Sequence, residues 1–173
     1  FELGLIRNHY VGRTFIEPTQ NIRSLGVKLK LSSTKSIVKN KSLILIDDSL
    51  VRGTTCHKIV KMLYEAGAKE VHVRIACPEI KFPDFYGVDM PTKDELLAHL
   101  KNNSQMCEYI KAKSLKFLSL AGLYKALEKG ERNNAYPQFS DHYFTGDYPI
   151  IPKDSISEVN VSQLSLLSGK SNN

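Results

Sequence analysis

Two adjacent carboxylates, Asp47 and Asp48, open the nonapeptide Asp47-Asp48-Ser49-Leu50-Val51-Arg52-Gly53-Thr54-Thr55, which gathers acidic, glycine and hydroxyl residues in one short stretch. Gly53 permits backbone geometry and a close approach that a Cβ would block. Successive N–H groups there, with the positive end of a following helix, make a cradle for an anion. Thr54 and Thr55 add hydroxyl donors for phosphate oxygens. Carboxylates beside a phosphate cradle suit a sugar phosphate: ribose hydroxyls donate to Asp47 and Asp48 while the 5-phosphate lies in the turn. The same pair can help hold Mg²⁺, directly or through water, when the ligand carries a pyrophosphate. Neither G-x-x-x-x-G-K-[ST] nor G-x-G-x-x-G is matched, so a nucleotide P-loop and a dinucleotide fingerprint are both excluded. Taken alone, paired aspartates at a strand end are more simply helix caps and turn formers. The ordered run of strand, acid pair, Gly-Thr-Thr and helix outweighs that simpler role.

Such a site needs a strand that ends at the acids and a helix that starts at the threonines. Ser42 to Ile46 is a continuous apolar run with β-branched residues, which predicts a buried, parallel strand. Thr55 to Ala66 places Ile59, Met62, Leu63 and Ala66 at helical spacing, with Gly67 as a C-cap. Glu70 to Ala76 reads as a second strand. Strand, loop, helix, strand is the order of a right-handed βαβ crossover in an α/β sheet, and ligands of such sheets bind at the carboxyl ends of the strands. Upstream, Phe1 to Ile6 could form a strand and Asn8 to Ser36 a long loop of the kind used as lids. From Pro18 to Ile46 there is no acidic residue, while Arg23, Lys28, Lys30, Lys35, Lys39 and Lys41 all fall there. Beyond Pro78 helices dominate: Lys93 to Leu100 capped by Thr92 with Glu95 at N3, Ser104 to Ala112, and Ala121 to Lys129, with a short strand over Leu115 to Leu120. The expected organisation is a domain over residues 1–153 and a serine-rich, poorly ordered tail over 154–173.

With 173 residues, 42% hydrophobic and 24% charged, the chain has the composition of a globular domain large enough to bury a core. Leu43 to Ile46, its most apolar stretch, is bounded by Lys41 and Asp47, far short of the roughly 18 residues of a membrane span. The opening Phe1 and its mixed surroundings are unlike a signal peptide and suggest a segment of a larger protein. Cys56, Cys77 and Cys107 lie far apart without a C-x-x-C pair, which argues against zinc and disulfides and for a reducing, cytoplasmic setting. A net charge of +6 raises the question of nucleic acid. The basic residues, however, gather in the loop beside the phosphate turn, and no nucleic-acid module is present.

The run LILIDDSLVRGTT resembles the phosphoribosyl pyrophosphate (PRPP) signature of type I phosphoribosyltransferases. More closely, RNHYVGRTFIEPTQ (Arg7 to Gln20), PEIKFPDFYGVDMPTKDELLAH (Pro78 to His99) and FTGDYP (Phe144 to Pro149) resemble the carboxyl-terminal half of glutamine PRPP amidotransferases, a likeness extending from Phe1 to about Lys153. It implies an α/β chain: a partial type I phosphoribosyltransferase fold, a parallel sheet with flanking helices, followed by a mostly helical carboxyl-terminal region. It also implies the first committed step of de novo purine synthesis, in which glutamine-derived ammonia displaces pyrophosphate from PRPP to give phosphoribosylamine. By resemblance, Mg·PRPP is held on Asp47 and Asp48, and the sugar phosphate by the turn of Ser49, Val51, Arg52, Gly53, Thr54 and Thr55. A loop over about Tyr10 to Leu31 closes above it, with Arg13, Lys28 and Lys30 on the leaving group; Leu29 stands where a third basic residue is expected.

The family's glutaminase domain and the upstream part of its phosphoribosyltransferase domain, with the first core strand and the pyrophosphate loop, have no counterpart in this sequence. The expectation is therefore a segment not active alone, homo-oligomeric in the complete protein, with no membrane or nucleic-acid partner. Some relatives bind an iron–sulfur cluster through cysteines, but Tyr136 to Tyr143 contains none, so no cluster is expected. The competing readings are a non-catalytic PRPP-sensing module and a degenerate remnant. Among other residues, His57 fits local satisfaction better than a general base, Cys56 a core filler better than a nucleophile, and Tyr86 and Asp89 packing and turn formation better than a site floor. Asp141-His142 has no third partner that the sequence names.

Overall fold

The computed structural model describes Glu2 and residues 5–7, 31–33 and 35–150. Two short strands, β1 (Leu5–Arg7) and β2 (Leu31–Ser33), pair antiparallel with Ile6 opposite Ser32. A helical turn, α1 (Lys35–Val38), precedes β3 (Ser42–Asp47). The expected loop over Asn8 to Ser36 thus contains β2 and the start of α1. Its remainder, Arg13, Lys28 and Lys30 included, lies outside the described residues, as does the tail 154–173.

The principal sheet is parallel and three-stranded, in the order β3, β4 (Glu70–Ile75), β5 (Ser114–Phe117). Leu43 faces Val71 and Asp47 faces Ile75, while Val73 faces Leu115. Between β3 and β4 runs α2 (Thr54–Glu65), whose Ile59, Val60 and Leu63 pack against Val71, Val73, Ile75 and Leu115 in one core. Gly67, at φ +95, ends this helix by turning the chain back toward β4, and the Ala68 N–H bonds to the Leu63 carbonyl at 3.1 Å. The sequence expectation of a βαβ unit is met within a residue or two at each boundary.

Burial of β3 is one-sided, contrary to the expectation from its continuous apolar run. Leu43 and Leu45 pack toward the core, but Ile44 is 66% and Ile46 70% exposed. Side chains alternate along a strand, and among the described residues the covering helices lie on one face of the sheet.

The segment after Pro91 also departs from its expected single helix. A 3₁₀ turn (Lys93–Glu95) is followed by an extended Leu96 (φ −77, ψ 112) and then by α3 (Leu97–Leu100), and Thr92 makes no side-chain cap bond. Leu96, Leu97 and Ala98 are all buried, which a regular surface helix cannot achieve for consecutive residues; breaking at Leu96 turns them inward together. The following helix, α4 (Asn103–Tyr109), starts with a capping box in which Asn102 and Gln105 exchange side-chain-to-backbone bonds of 3.0 Å. It places Met106 in the core, and Ile110 follows at its end. After β5 come α5 (Leu120–Ala126), capped by Ser119, and α6 (His142–Thr145). Among the described residues no helix is long and apolar enough to cross a membrane.

The carboxyl-terminal part of the described chain is fastened by polar contacts. Asp141 accepts from the Tyr124 hydroxyl (2.8 Å) and from Arg132 (2.6 Å to Nε, 3.1 Å to Nη2), and Arg132 also reaches Asp147 at 2.6 Å. His142 Nε2 lies 2.8 Å from Asp84, whose other carboxylate oxygen accepts from the N–H groups of Tyr86 and Val88. Burial by itself would raise the pKa of Asp141, but the bonds from Arg132 and Tyr124 outweigh it and hold the group below its ordinary value. Asp84 is likewise lowered: the bonds from Val88, His142 and Tyr86 overcome its burial. A carboxylate with a depressed folded-state pKa contributes stability above its unfolded value, about 3.9, and loses that contribution as pH falls through the folded-state value. Thermal unfolding followed from pH 7 to pH 2 should therefore show a falling midpoint below about pH 4, and the fall should be shallower in Asp141→Asn. An equal slope in the variant would remove Asp141 from the account.

Candidate active site

The carboxyl end of β3 carries the acid pair. Asp47 is half-buried and accepts from the Asp48 N–H at 3.1 Å; Asp48 is exposed and accepts from the Ser49 hydroxyl at 2.9 Å. Asp47 has a raised pKa, mainly through burial and further through the charge of Asp48, with the bond from the Asp48 N–H acting the other way. Among the described residues no cation pairs with either carboxylate. A bound cation would favour the ionised carboxylates and so oppose the raised value.

Beyond the acids, Leu50 is buried beneath the turn and Gly53 takes the left-handed conformation (φ 73, ψ −9) at the N-cap of α2. The first helical bond runs from the His57 N–H to the Gly53 carbonyl at 2.9 Å. No side chain caps this helix, and its first turn contains no acidic residue. The first-turn N–H groups, which geometry denies an intrahelical partner, thus face the space beside Thr54 and Thr55 with the positive end of the helix dipole behind them. An anion is the natural complement.

The turn is braced from 93–109. The Leu97 N–H donates to the Val51 carbonyl at 2.9 Å, and Arg52 donates to both oxygens of Glu95, from Nε at 3.3 Å and from Nη2 at 2.9 Å. Leu97 and the Tyr109 ring close over Gly53 so tightly that a Cβ there would lie 2.6 Å from Leu97 Cδ2. His57, at the first turns of α2, has Nδ1 2.9 Å from the Tyr109 carbonyl, a bond that anchors the ring to the end of α4. Cys56 is buried, and burial pushes its thiol up to about 12, so it is no nucleophile near neutral pH. The Tyr86 hydroxyl, for its part, bonds to the Ile150 backbone.

Asp47, Asp48, Ser49, Val51, Arg52, Gly53, Thr54 and Thr55 therefore lie together between β3 and α2, while Arg13, Lys28 and Lys30 fall outside the described residues. The bracing roles of Glu95, Leu97 and Tyr109 are not visible in the sequence, because each lies more than 40 positions from its partner in the turn; Glu95 reads there only as the N3 residue of a capping box and, with Leu97, as part of the stretch Pro78 to His99. Among the described residues no group of three or more His, Cys, Asp or Glu side chains could hold a metal by itself. That does not count against Mg²⁺, which commonly takes one or two protein carboxylates and completes its shell with water and substrate phosphates; Asp47 and Asp48 fit that role. A separate cavity of about 540 Å³ lies near the end of β5, lined by Lys81, Lys116, Phe117, Ser119 and Phe144 among others, and by none of the acidic turn.

A parallel strand ending in paired carboxylates, a left-handed glycine and an uncapped Thr-Thr helix start make this a partial phosphoribosyltransferase fold, and solved structures agree. Glutamine PRPP amidotransferase from B. subtilis, complexed with ADP and GMP, superposes with a TM-score of 0.75 at 46% identity, covering 88% of this chain and 34% of that one. Amidophosphoribosyltransferases from Rhizobium etli (57% identical over 168 residues, 96% of this chain), Staphylococcus aureus (50% over 149 residues, 86%) and Arabidopsis thaliana (the chloroplastic form 1, 50% over 154 residues, 89%) are similar in sequence. No family model matches. Over most of its length the chain matches the carboxyl-terminal part of amidophosphoribosyltransferases. It spans about a third or less of the length of these relatives: 34%, 30% and 26% respectively.

Proposed function

We propose that this chain carries the Mg·PRPP half-site of an amidophosphoribosyltransferase, the enzyme that makes 5-phosphoribosylamine from PRPP and glutamine-derived ammonia. The observation that carries the reading is the uncapped, acid-free start of α2 behind a left-handed Gly53, a few residues after an acid pair of which Asp47 is half-buried and Asp48 exposed. In this reading the first-turn N–H groups of α2 with Ser49, Thr54 and Thr55 hold the 5-phosphate, and Asp47 and Asp48 accept from the ribose hydroxyls. The two carboxylates also hold Mg²⁺, which when bound would offset the negative charge gathering on the departing pyrophosphate. Breaking the C1–O bond leaves positive charge on the sugar, and a carboxylate pair on the ribose side stabilises it. Arg13, Lys28 and Lys30 are assigned to the pyrophosphate, within a loop that shields PRPP from water. Ammonia comes from the glutaminase portion of the complete enzyme, the working unit is a homo-oligomer in the cytoplasm, and purine nucleotides such as those bound by the B. subtilis relative are its expected effectors.

Calorimetric titration of the chain with PRPP tests this reading. Saturable binding in Mg²⁺, weakened at least about tenfold by chelation, is the expected result. No binding by a chain shown folded by circular dichroism would refute the half-site.

A further inference from the structure

We propose that Glu95 is a positioning residue for the phosphate turn, and that Arg52 acts through Glu95 on the shape of the turn without touching the sugar phosphate. The proposal rests on the half-site reading above and goes beyond it by moving Arg52 from the ligand set to the scaffold. Arg52 immediately precedes Gly53, and its guanidinium is engaged by both oxygens of Glu95 through its Nε and Nη2 edge. This two-point fork fixes direction as well as distance, which a lysine ammonium cannot do. The neighbouring residues are held by the same segment. Val51 receives the Leu97 N–H, Gly53 lies under Leu97 and Tyr109, and His57 reaches the Tyr109 carbonyl. Residues 51–53 are thus gripped in register by 95–97, on the side of the turn away from solvent at Gly53 and at the rim at Arg52.

A left-handed glycine with no capping side chain does not hold its own geometry: glycine occupies several backbone regions at little cost. A phosphate cradle, by contrast, requires its N–H groups to be aimed before the ligand arrives. The Arg52–Glu95 pair, both members about half exposed, supplies aim without much global stability. This separates it from an ordinary structural contact: its loss should loosen the turn and leave the sheet as it was.

The test uses the full chain as wild type, Glu95→Gln, Arg52→Glu, and the charge swap Arg52→Glu with Glu95→Arg. Amide hydrogen exchange at residues 51–55 is read without ligand, with the amides of β4 as the internal standard; PRPP affinity in Mg²⁺ is read alongside. Each single variant is expected to speed exchange at 51–55 and weaken PRPP binding by about fivefold, the upper range for an exposed pair, with β4 unchanged. The swap is expected to restore both. Restored exchange without restored affinity would show that Arg52 meets the substrate directly and would overturn the proposal, since a glutamate cannot replace a phosphate ligand. Unchanged exchange in Glu95→Gln would overturn it as well. Should the wild-type chain bind no PRPP, the half-site reading fails, and the exchange measurement still decides whether Glu95 holds the turn.

Discussion

Replacing Asp47 and Asp48 together by asparagine abolishes the Mg²⁺-dependent part of PRPP binding and leaves the chain folded. Asparagine keeps a side-chain oxygen where Asp47 accepts from the Asp48 N–H and where Asp48 accepts from Ser49, so the local bonds survive while two charges disappear. Hydrogen bonds to charged groups are worth about 1.5–3 kcal/mol each, so a loss of at least about 100-fold in affinity is expected. Stability should move the other way. The raised pKa of Asp47 means that the fold disfavours its ionised form, mainly through burial and then through the charge of Asp48. A carboxyl group raised in the folded state is a liability above that raised value, so removing the charge at pH 7 leaves the unfolding midpoint equal or higher. A variant that binds as tightly as wild type in Mg²⁺ would show that the acids serve only the turn. One that binds weakly because it has unfolded would be recognised by its lost circular dichroism.

Gly53→Ala is the second substitution with a large expected effect. At φ +73 an alanine costs about 1–2 kcal/mol, and its Cβ would lie 2.6 Å from Leu97 Cδ2 and 3.1 Å from Tyr109 Cε1. Relieving that overlap costs a further 1–3 kcal/mol or so. Urea unfolding should therefore report a loss of about 2–5 kcal/mol. PRPP binding should also fall beyond what the unfolded fraction explains, because the N–H groups of the turn move with Gly53. Combining Gly53→Ala with Leu97→Ala should cost less than the two separate losses added together, since one change makes the space that the other needs. Strict additivity would mean that Leu97 does not restrain the turn.

What the sequence reveals and what it conceals divide along contact range. The βαβ unit was legible because its signals are local: an apolar run stopped by Asp47-Asp48, helical spacing from Ile59 to Leu63, and a glycine at each end of α2. The left-handed Gly53 follows the same logic. Leu96 was misread as helical because its partners in the core, not its neighbours in the chain, decide its backbone. The one-sided burial of β3 could not be read from Leu43 to Ile46, since a continuous apolar strand looks the same whichever faces are covered. The grip of Glu95 on Arg52, the pairing of His142 with Asp84, and the knot of Arg132, Asp141 and Tyr124 join residues whose types are individually ordinary. Asp141-His142 was noticed, but its partners emerged only once the chain was folded.

The central claim is that the turn between β3 and α2 is where PRPP binds. Titrating isotopically labelled chain with PRPP in Mg²⁺ while following backbone amide resonances tests it most directly. The account predicts that the largest shifts fall on Asp48 to Thr55 and reverse on chelation. Shifts centred instead on Phe117, Ser119 and Phe144 around the separate cavity, with the turn unmoved, would contradict it.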